Sequence, residues 1–155
     1  FLVHLLPVWS KSAGKRVVKS PKVYLTDSGM TAFLQGIETA RLVNEPVLLG
    51  PLLEGFVVME LVKQLGWSQE RAGLYHFRTS SGAEVDVVVE GRDGRVAGVE
   101  VKAAVSLSAS DFRGLKVLAE VAGEKFARGV ILYLGEDVVP VAENMHAVPL
   151  AALWE

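Results

Sequence analysis

Residues 83–102 read AEVDVVVEGRDGRVAGVEVK, and this stretch decides the fold. In the half before the turn, 83–90, acidic and apolar residues alternate over most of the length. The half after it, 95–102, is a largely apolar run that ends in Glu-Val-Lys. Alternation and a high valine content are typical of β-strands. The turn at 91–94 is bounded by two glycines, so the spacing predicts a β-hairpin.

A helix and another strand are predicted after the hairpin. Ser108 and Asp111 have the spacing of a capping box, which indicates a helix over 108–122. The continuous apolar run at 126–134 is typical of a strand inside a sheet. Because that helix crosses over from the strand ending at Lys102, we expect the strand at 126–134 to run parallel to it.

Before the hairpin, Gly50-Pro51 opens a predicted helix that reaches about Leu65 and is stopped by Gly66. The remaining predictions are a helix between Asp27 and Gly36, an irregular stretch at 37–49, and short strands at 2–9, 16–25, 74–78, 138–142 and 145–149.

From residue 50 the predicted order is α-β-β-β-α-β, so the expected fold is α/β with a mixed β-sheet flanked by helices. The length of 155 residues fits one domain. Within it, residues 1–49 are interpreted as an N-terminal extension with a basic segment and a short helix, and residues 50–155 as the core.

Composition excludes several classes of protein. Half of the residues are hydrophobic, which excludes intrinsic disorder, and the lack of cysteine excludes disulfides and thiol chemistry and fits a cytoplasmic location. No apolar run approaches the roughly 18 residues of a membrane helix, so we expect no membrane partner. The high apolar content suggests that part of the surface is normally covered.

The net charge of −2 argues against a generally basic nucleic-acid binder, but charge is unevenly distributed. Residues 1–26 contain five lysines and arginines and no acid. Three of these residues, Lys15, Arg16 and Lys19, are candidate contacts to a phosphate backbone. The alternative is a solvated loop and strand edge whose lysines discourage edge pairing.

Three carboxylates and a lysine occupy positions that face the interior. By strand alternation, Asp86 shares a face with Glu84 and Val88, and Glu100 shares a face with Lys102. Glu54 lies on the apolar stripe of the 51–65 helix. Because crowded carboxylates in a low dielectric need a counter-charge, Lys102 and a Mg²⁺ or Mn²⁺ ion are the predicted partners.

Four segments also carry a family resemblance: KSPKVYLTDSG (19–29), GPLLEGFVVMEL (50–61), FRTSSGAEVD (77–86) and VEVK (99–102). Together they resemble the C-terminal domain of unknown function of prokaryotic AAA-type ATP-binding proteins. Glu54, Asp86 and the Glu100-Val-Lys102 triplet resemble the PD-(D/E)xK restriction-endonuclease-like superfamily, with Val85 in place of the usual proline. No P-loop is present, so we expect the ATPase domain to lie outside this chain and to be its partner.

The resemblance implies a metal-dependent nuclease that hydrolyses phosphodiester bonds, with DNA as the expected nucleic acid. In that interpretation Asp86, Glu100 and the carbonyl of Val101 bind the metal. Glu54 holds a metal-bound water or a second metal, and Lys102 orients the attacking water. Arg78 and Ser81, near the mouth of the hairpin, are candidate contacts to phosphate.

Alternatives stay open for single residues and for the whole domain. Asp86, Glu100 and Lys102 can form a structural ion-pair cluster, Glu54 can be an acid favoured by a helix N-terminus, and Glu84 is expected to pair with Arg78. The whole domain can be a catalytically inactive nuclease-like module for DNA binding or protein docking. It can also be an assembly domain that buries apolar surface against the ATPase or in a homo-oligomer.

Overall fold

A computed structural model of the chain describes residues 2–12 and 20–154. The helices are α1 (Ser28–Leu34), α2 (Thr39–Asn44), α3 (Leu49–Trp67) and α4 (Arg113–Ala122). The strands are β1 (Val3–Leu6), β2 (Lys22–Leu25), β3 (Ala72–Arg78), β4 (Glu84–Gly91), β5 (Val96–Lys102), β6 (Phe126–Tyr133), β7 (Val139–Ala142) and β8 (Met145–Pro149). The predicted α-β-β-β-α-β order is confirmed as α3-β3-β4-β5-α4-β6.

The main sheet has six strands in the order β3-β4-β5-β6-β8-β7. β3, β4 and β5 are antiparallel neighbours, β5, β6 and β8 run parallel, and β7 is antiparallel to β8. The predicted mixed sheet, the hairpin, and the parallel pairing across the α4 crossover are therefore all confirmed. The turn closes with a hydrogen bond from the Gly91 N–H to the Arg95 carbonyl, 2.9 Å long.

Helix α4 covers one face of the sheet very closely. The capping box of Ser108 and Asp111 is present, and a short 3₁₀ turn over Ala109–Phe112 leads into the helix. A Cβ at Gly114 would collide with the Glu84 carbonyl of β4, and one at Gly98 would meet the side chains of two α4 leucines. Glycine at both positions lets the helix and sheet backbones approach, so their apolar side chains interlock.

The other face of the sheet packs against α3, and here β4 is irregular. Tyr75 pairs with Val88 and Phe77 with Val85, so two β4 residues, Asp86 and Val87, lie opposite the single residue His76. This is a β-bulge, which breaks side-chain alternation. Val85 and Val88 both belong to the α4-side cluster, so the prediction that Asp86 and Val88 share a face was wrong.

The N-terminal part forms a second, two-stranded sheet in which β1 and β2 are antiparallel. It joins the main sheet where the Trp9 N–H donates to the His76 carbonyl at 2.6 Å and the His76 N–H to the Pro7 carbonyl at 2.8 Å. Of the predicted strand at 16–25, Lys22–Leu25 is confirmed, whereas residues 16–19 lie outside the described part of the chain.

Two local predictions were wrong. The stretch 37–49, expected to be irregular, contains α2 and a 3₁₀ turn at Pro46–Leu48, because short polar-flanked helices lack a long apolar stripe to reveal them. Helix α3 continues through Gly66 to Trp67, since a glycine weakens a helix without necessarily ending it.

Among the residues that the structure describes, none of the helices combines the length and apolarity needed to cross a membrane.

Candidate functional site

Glu54 of α3 and Asp86 of β4 meet on either side of a lysine. The ammonium of Lys22, on β2, donates to Glu54 Oε1 at 2.7 Å and to Asp86 Oδ1 at 3.3 Å. Glu54 lies one turn before Val58, which is fully buried against the sheet, so the helix period aims its carboxylate the same way. The site therefore combines a helix, the main sheet and the small N-terminal sheet.

The bulge explains how Asp86 reaches this position. The β4–β5 pairing stops at Val87 and Val99, and one residue further Asp86 Oδ2 accepts a 3.0 Å hydrogen bond from the Val101 N–H. Asp86 is only 9% exposed, so its carboxylate is both buried and oriented by the backbone of the neighbouring strand. Bulges commonly re-aim a side chain in this way beside functional sites.

Glu100 and Lys102 project to the same side of β5, as the sequence predicts. The Lys102 ammonium donates to Glu100 Oε1 at 3.0 Å. The second oxygen, Glu100 Oε2, is buried and has no hydrogen-bond partner among the described residues. A buried carboxylate oxygen without a donor is costly, and a cation or a water molecule is the chemistry that would satisfy it.

The electrostatics of the site disfavour full ionisation. Burial and then the charge of Glu54 raise the pKa of Asp86, although Lys22 opposes the shift. Burial and then the charge of Asp86 raise the pKa of Glu100 to about 7, against the pull of Lys102. The two ammonium groups present therefore do not compensate the carboxylates fully, which is a pattern common at functional sites.

Lys22 and Tyr24 are the site residues that the sequence analysis missed. Tyr24 donates its hydroxyl to Glu54 Oε1 at 2.5 Å, beside the Lys22 contact. Burial lowers the pKa of Lys22, but the hydrogen bond with Glu54 and the charge of Asp86 outweigh it, so the pKa lies above its ordinary value. The available signal was the Lys-Val-Tyr alternation of β2, which places both side chains on one face.

A metal ion would depend on few protein ligands here. Among the residues described, no three histidine, aspartate or glutamate side chains are grouped closely enough to hold a metal by themselves. Asp86 and Glu100, with the carbonyl of Val101, fit an ion that keeps several waters, as Mg²⁺ usually does with one or two carboxylates. The unpartnered Glu100 Oε2 supports that fit.

A basic cleft of about 510 Å³ adjoins the carboxylates, and Lys22 lies on its wall. Its other lining residues are Val8, Ser20, Pro21, His76, Arg78, Thr79 and Ser80. Arg78 is thus placed beside the site, and its predicted ion pair with Glu84 is present at 2.8 Å. Ser81 does not line this cleft, and its hydroxyl contacts that of Thr79 at 3.0 Å.

His76 is the most enclosed polar group of the cleft, at 4% exposure. Burial and then the charge of Lys22 lower its pKa, so the imidazole is neutral near pH 7. The basic residues predicted to contact phosphate from the N-terminal segment, Lys15, Arg16 and Lys19, lie outside the described residues. The structure therefore brings together Glu54, Asp86, Glu100, Val101 and Lys102, with Arg78 at the margin.

Comparison with known proteins gives a family but no activity. Uncharacterized proteins of Mycobacterium tuberculosis and Mycobacterium bovis are each 34% identical over 148 residues, which is 96% of this chain and 32% of theirs. The chain thus spans about a third of the length of these curated relatives.

A solved structure shows a distant likeness. It is the half-complex from the tetradecameric assembly of Thermococcus gammatolerans McrB AAA+ hexamers with bound McrC. The match has a TM-score of 0.47 and 18% identity, over 64% of this chain and 27% of that chain. A likeness of that degree is too distant to inform the site.

Two family models match the chain, and both describe domains of unknown function. Residues 1–41 are similar to the Domain of unknown function (DUF8612). Residues 49–153 match the Domain of unknown function (DUF4143), which confirms the expected resemblance to a domain of unknown function over the core. Because that match covers more than half of the sequence, the chain belongs to the DUF4143 family.

Proposed function

We propose that this chain is a nuclease domain that hydrolyses phosphodiester bonds of DNA with the help of Mg²⁺ or Mn²⁺. The observation that carries the proposal is the convergence of Glu54, Asp86 and Glu100 where β4 and β5 stop pairing. Carboxylates gathered from a helix and two strands, with a lysine two residues after the last one, match the arrangement expected of a PD-(D/E)xK site.

In this proposal Asp86 and Glu100, with the Val101 carbonyl, hold the metal, which would lower the pKa of a bound water and neutralise charge on the phosphate. Lys102, fixed by Glu100, positions the attacking water and stabilises its ionised form. Glu54, fixed by Tyr24, accepts a hydrogen bond from the same water shell. The attacking water gives up a proton to solvent and its oxygen bonds to phosphorus, the bond to the leaving sugar oxygen breaks, and that oxygen takes up a proton from a second water.

We also propose that the domain works as the C-terminal part of an AAA-type ATP-binding protein. Two points support this: the resemblance carried by residues 19–29, 50–61, 77–86 and 99–102, and the two-thirds of each curated relative that lies beyond the match. In such a protein the ATPase would move or open the DNA that this domain cuts.

A second candidate is an inactive nuclease-like module for DNA binding or protein docking. The observation in its favour is Lys22, whose ammonium already fills the space between Glu54 and Asp86. Apolar side chains exposed on the N-terminal elements, among them Leu5, Val23 and Phe33, would suit docking against the ATPase or a second copy of the chain.

The deciding experiment measures DNA cleavage by the full-length protein with ATP and Mn²⁺. Single-stranded, duplex and branched DNA are compared for the wild type, Asp86→Asn and Glu45→Gln. Loss of a metal-holding carboxylate should reduce cleavage by at least about a hundredfold. Glu45→Gln is the matched control, because Glu45 is an exposed carboxylate whose partner is Arg41, outside the site.

Equal cleavage by the wild type and Asp86→Asn would refute the nuclease proposal, since the activity would then come from elsewhere. DNA left intact by both proteins, with DNA binding retained, would favour the inactive module.

A further inference from the structure

We propose that Lys22 is a resident counter-ion of the carboxylate site, which a divalent cation must displace in order to bind. This inference rests on the metal site of the proposed function and adds a residue from the N-terminal sheet that controls it. Lys22 would then set the metal affinity and keep Glu54 and Asp86 together when no metal is bound.

The first step is geometric. One ammonium lies within 2.7 Å of Glu54 and 3.3 Å of Asp86, so a single positive charge bridges two carboxylates on separate elements. A divalent cation on Asp86 would be within a few ångströms of that ammonium. Two cations at that separation repel strongly in a partly buried site, so the bound ion and the Lys22 contact to Asp86 exclude each other.

The second step concerns mobility. The β2 backbone is fixed by its pairing with β1, from Val3 opposite Leu25 to Leu6 opposite Lys22. The Lys22 side chain, in contrast, is 26% exposed and has a flexible four-carbon stem. Displacement therefore needs a change of side-chain rotamers and no change in the sheet.

The third step is that the displaced ammonium has somewhere to go. Lys22 lines the basic cleft of about 510 Å³, and His76 of β3 lines the same cleft. Both ring nitrogens of His76 are buried without a hydrogen-bond partner among the described residues. A side chain turned into this cleft would have the imidazole of His76 within the same cleft as an acceptor, so the displaced ammonium would not be left without a partner.

Calorimetric titration of Mn²⁺ into the 155-residue chain tests the inference. Lys22→Gln should bind Mn²⁺ on the order of tenfold more tightly than the wild type, because the competing cation is gone. Lys63→Gln is the control, since Lys63 is an exposed lysine paired with Glu60 elsewhere on α3. Its affinity should equal that of the wild type.

Thermal unfolding supplies a readout independent of affinity. Without metal, Lys22→Gln should lower the unfolding temperature, because Glu54 and Asp86 lose their shared partner. With saturating Mn²⁺ that difference should shrink, since the metal has already displaced Lys22 in the wild type.

The outcomes separate the two proposals. If the wild type binds Mn²⁺ and Lys22→Gln binds it equally or more weakly, the role of Lys22 is overturned. The nuclease proposal then still stands. Absence of Mn²⁺ binding in all variants overturns both. If Lys22→Gln binds Mn²⁺ more tightly than the wild type, and the difference in unfolding temperature between the two shrinks in saturating Mn²⁺, both proposals are supported.

Discussion

The two faces of the main sheet differ in what they bury. The α4 face holds a continuous apolar cluster, with Leu115 and Leu118 fully buried and helix and sheet in close contact through Gly98 and Gly114. The α3 face has a smaller cluster around Val58 and Val87, bordered by Glu54, Asp86 and Lys22. One face thus buries most of the apolar core, and the other combines a smaller apolar cluster with charged side chains.

The largest expected effect is on the α4 face. Leu118→Ala should lower the free energy of unfolding by about 2–5 kcal/mol, because it leaves a cavity in tightly packed surroundings. Urea denaturation followed by circular dichroism measures the change. Val121→Ala, at a 39% exposed position of the same helix, is the control and should change stability far less.

Val58→Ala brings the same test to the α3 face. If Val58→Ala lowered the free energy of unfolding as much as Leu118→Ala does, the proposed difference between the two faces would be contradicted.

The next effect concerns Glu100, near the end of β5. The pKa of Glu100 rises from 4.5 to about 7 in the folded chain, so between those values the folded chain binds more protons than the unfolded chain. The free energy of unfolding must then fall as pH rises through that window. Glu100→Gln should remove this slope and, above pH 7, stabilise the metal-free chain by about 1–3 kcal/mol.

Denaturation curves at several pH values, each with a metal chelator present, measure the slope. If Glu100→Gln were less stable than the wild type at pH 8, Glu100 and Lys102 would form a structural ion pair, which is the alternative to a metal site. Asp93→Asn is the control, since Asp93 pairs with Arg95 in the exposed hairpin turn far along the strand.

The smallest effect is expected at Tyr24. Tyr24→Phe removes the hydroxyl that donates to Glu54 and should cost about 0.5–1.5 kcal/mol. Chemical denaturation measures this loss at pH 7. A loss near zero would count against a stabilising role for the Tyr24–Glu54 bond.

Much of the fold could be predicted from local pattern. The hairpin at 83–102, the capping box at Ser108 and the parallel crossover follow from turn chemistry, helix capping and chain handedness, which act over a few residues or by general rule. The pairing of Glu100 with Lys102 followed from strand alternation as well.

The parts of the fold and of the site that the sequence did not reveal depend on contacts between segments far apart in the chain. The bulge at Asp86-Val87 has no local signature, because it arises from how β3 pairs with β4 around His76. Lys22 was visible only as one of several N-terminal lysines, and its partner Asp86 lies 64 positions away. A pattern along one strand cannot reveal which side chain of another sheet will meet it.

The contribution of β2 to the site bears on whether the two segments of this chain that match different family models are separate units. The two family models cover 1–41 and 49–153, and Lys22 and Tyr24 fall in the first while Glu54, Asp86 and Glu100 fall in the second. Glu54 and Asp86 therefore have their counter-ion, Lys22, in a different family unit. Any recombination that exchanged one unit without the other would separate partners that meet only in three dimensions, so the two segments are expected to be inherited together.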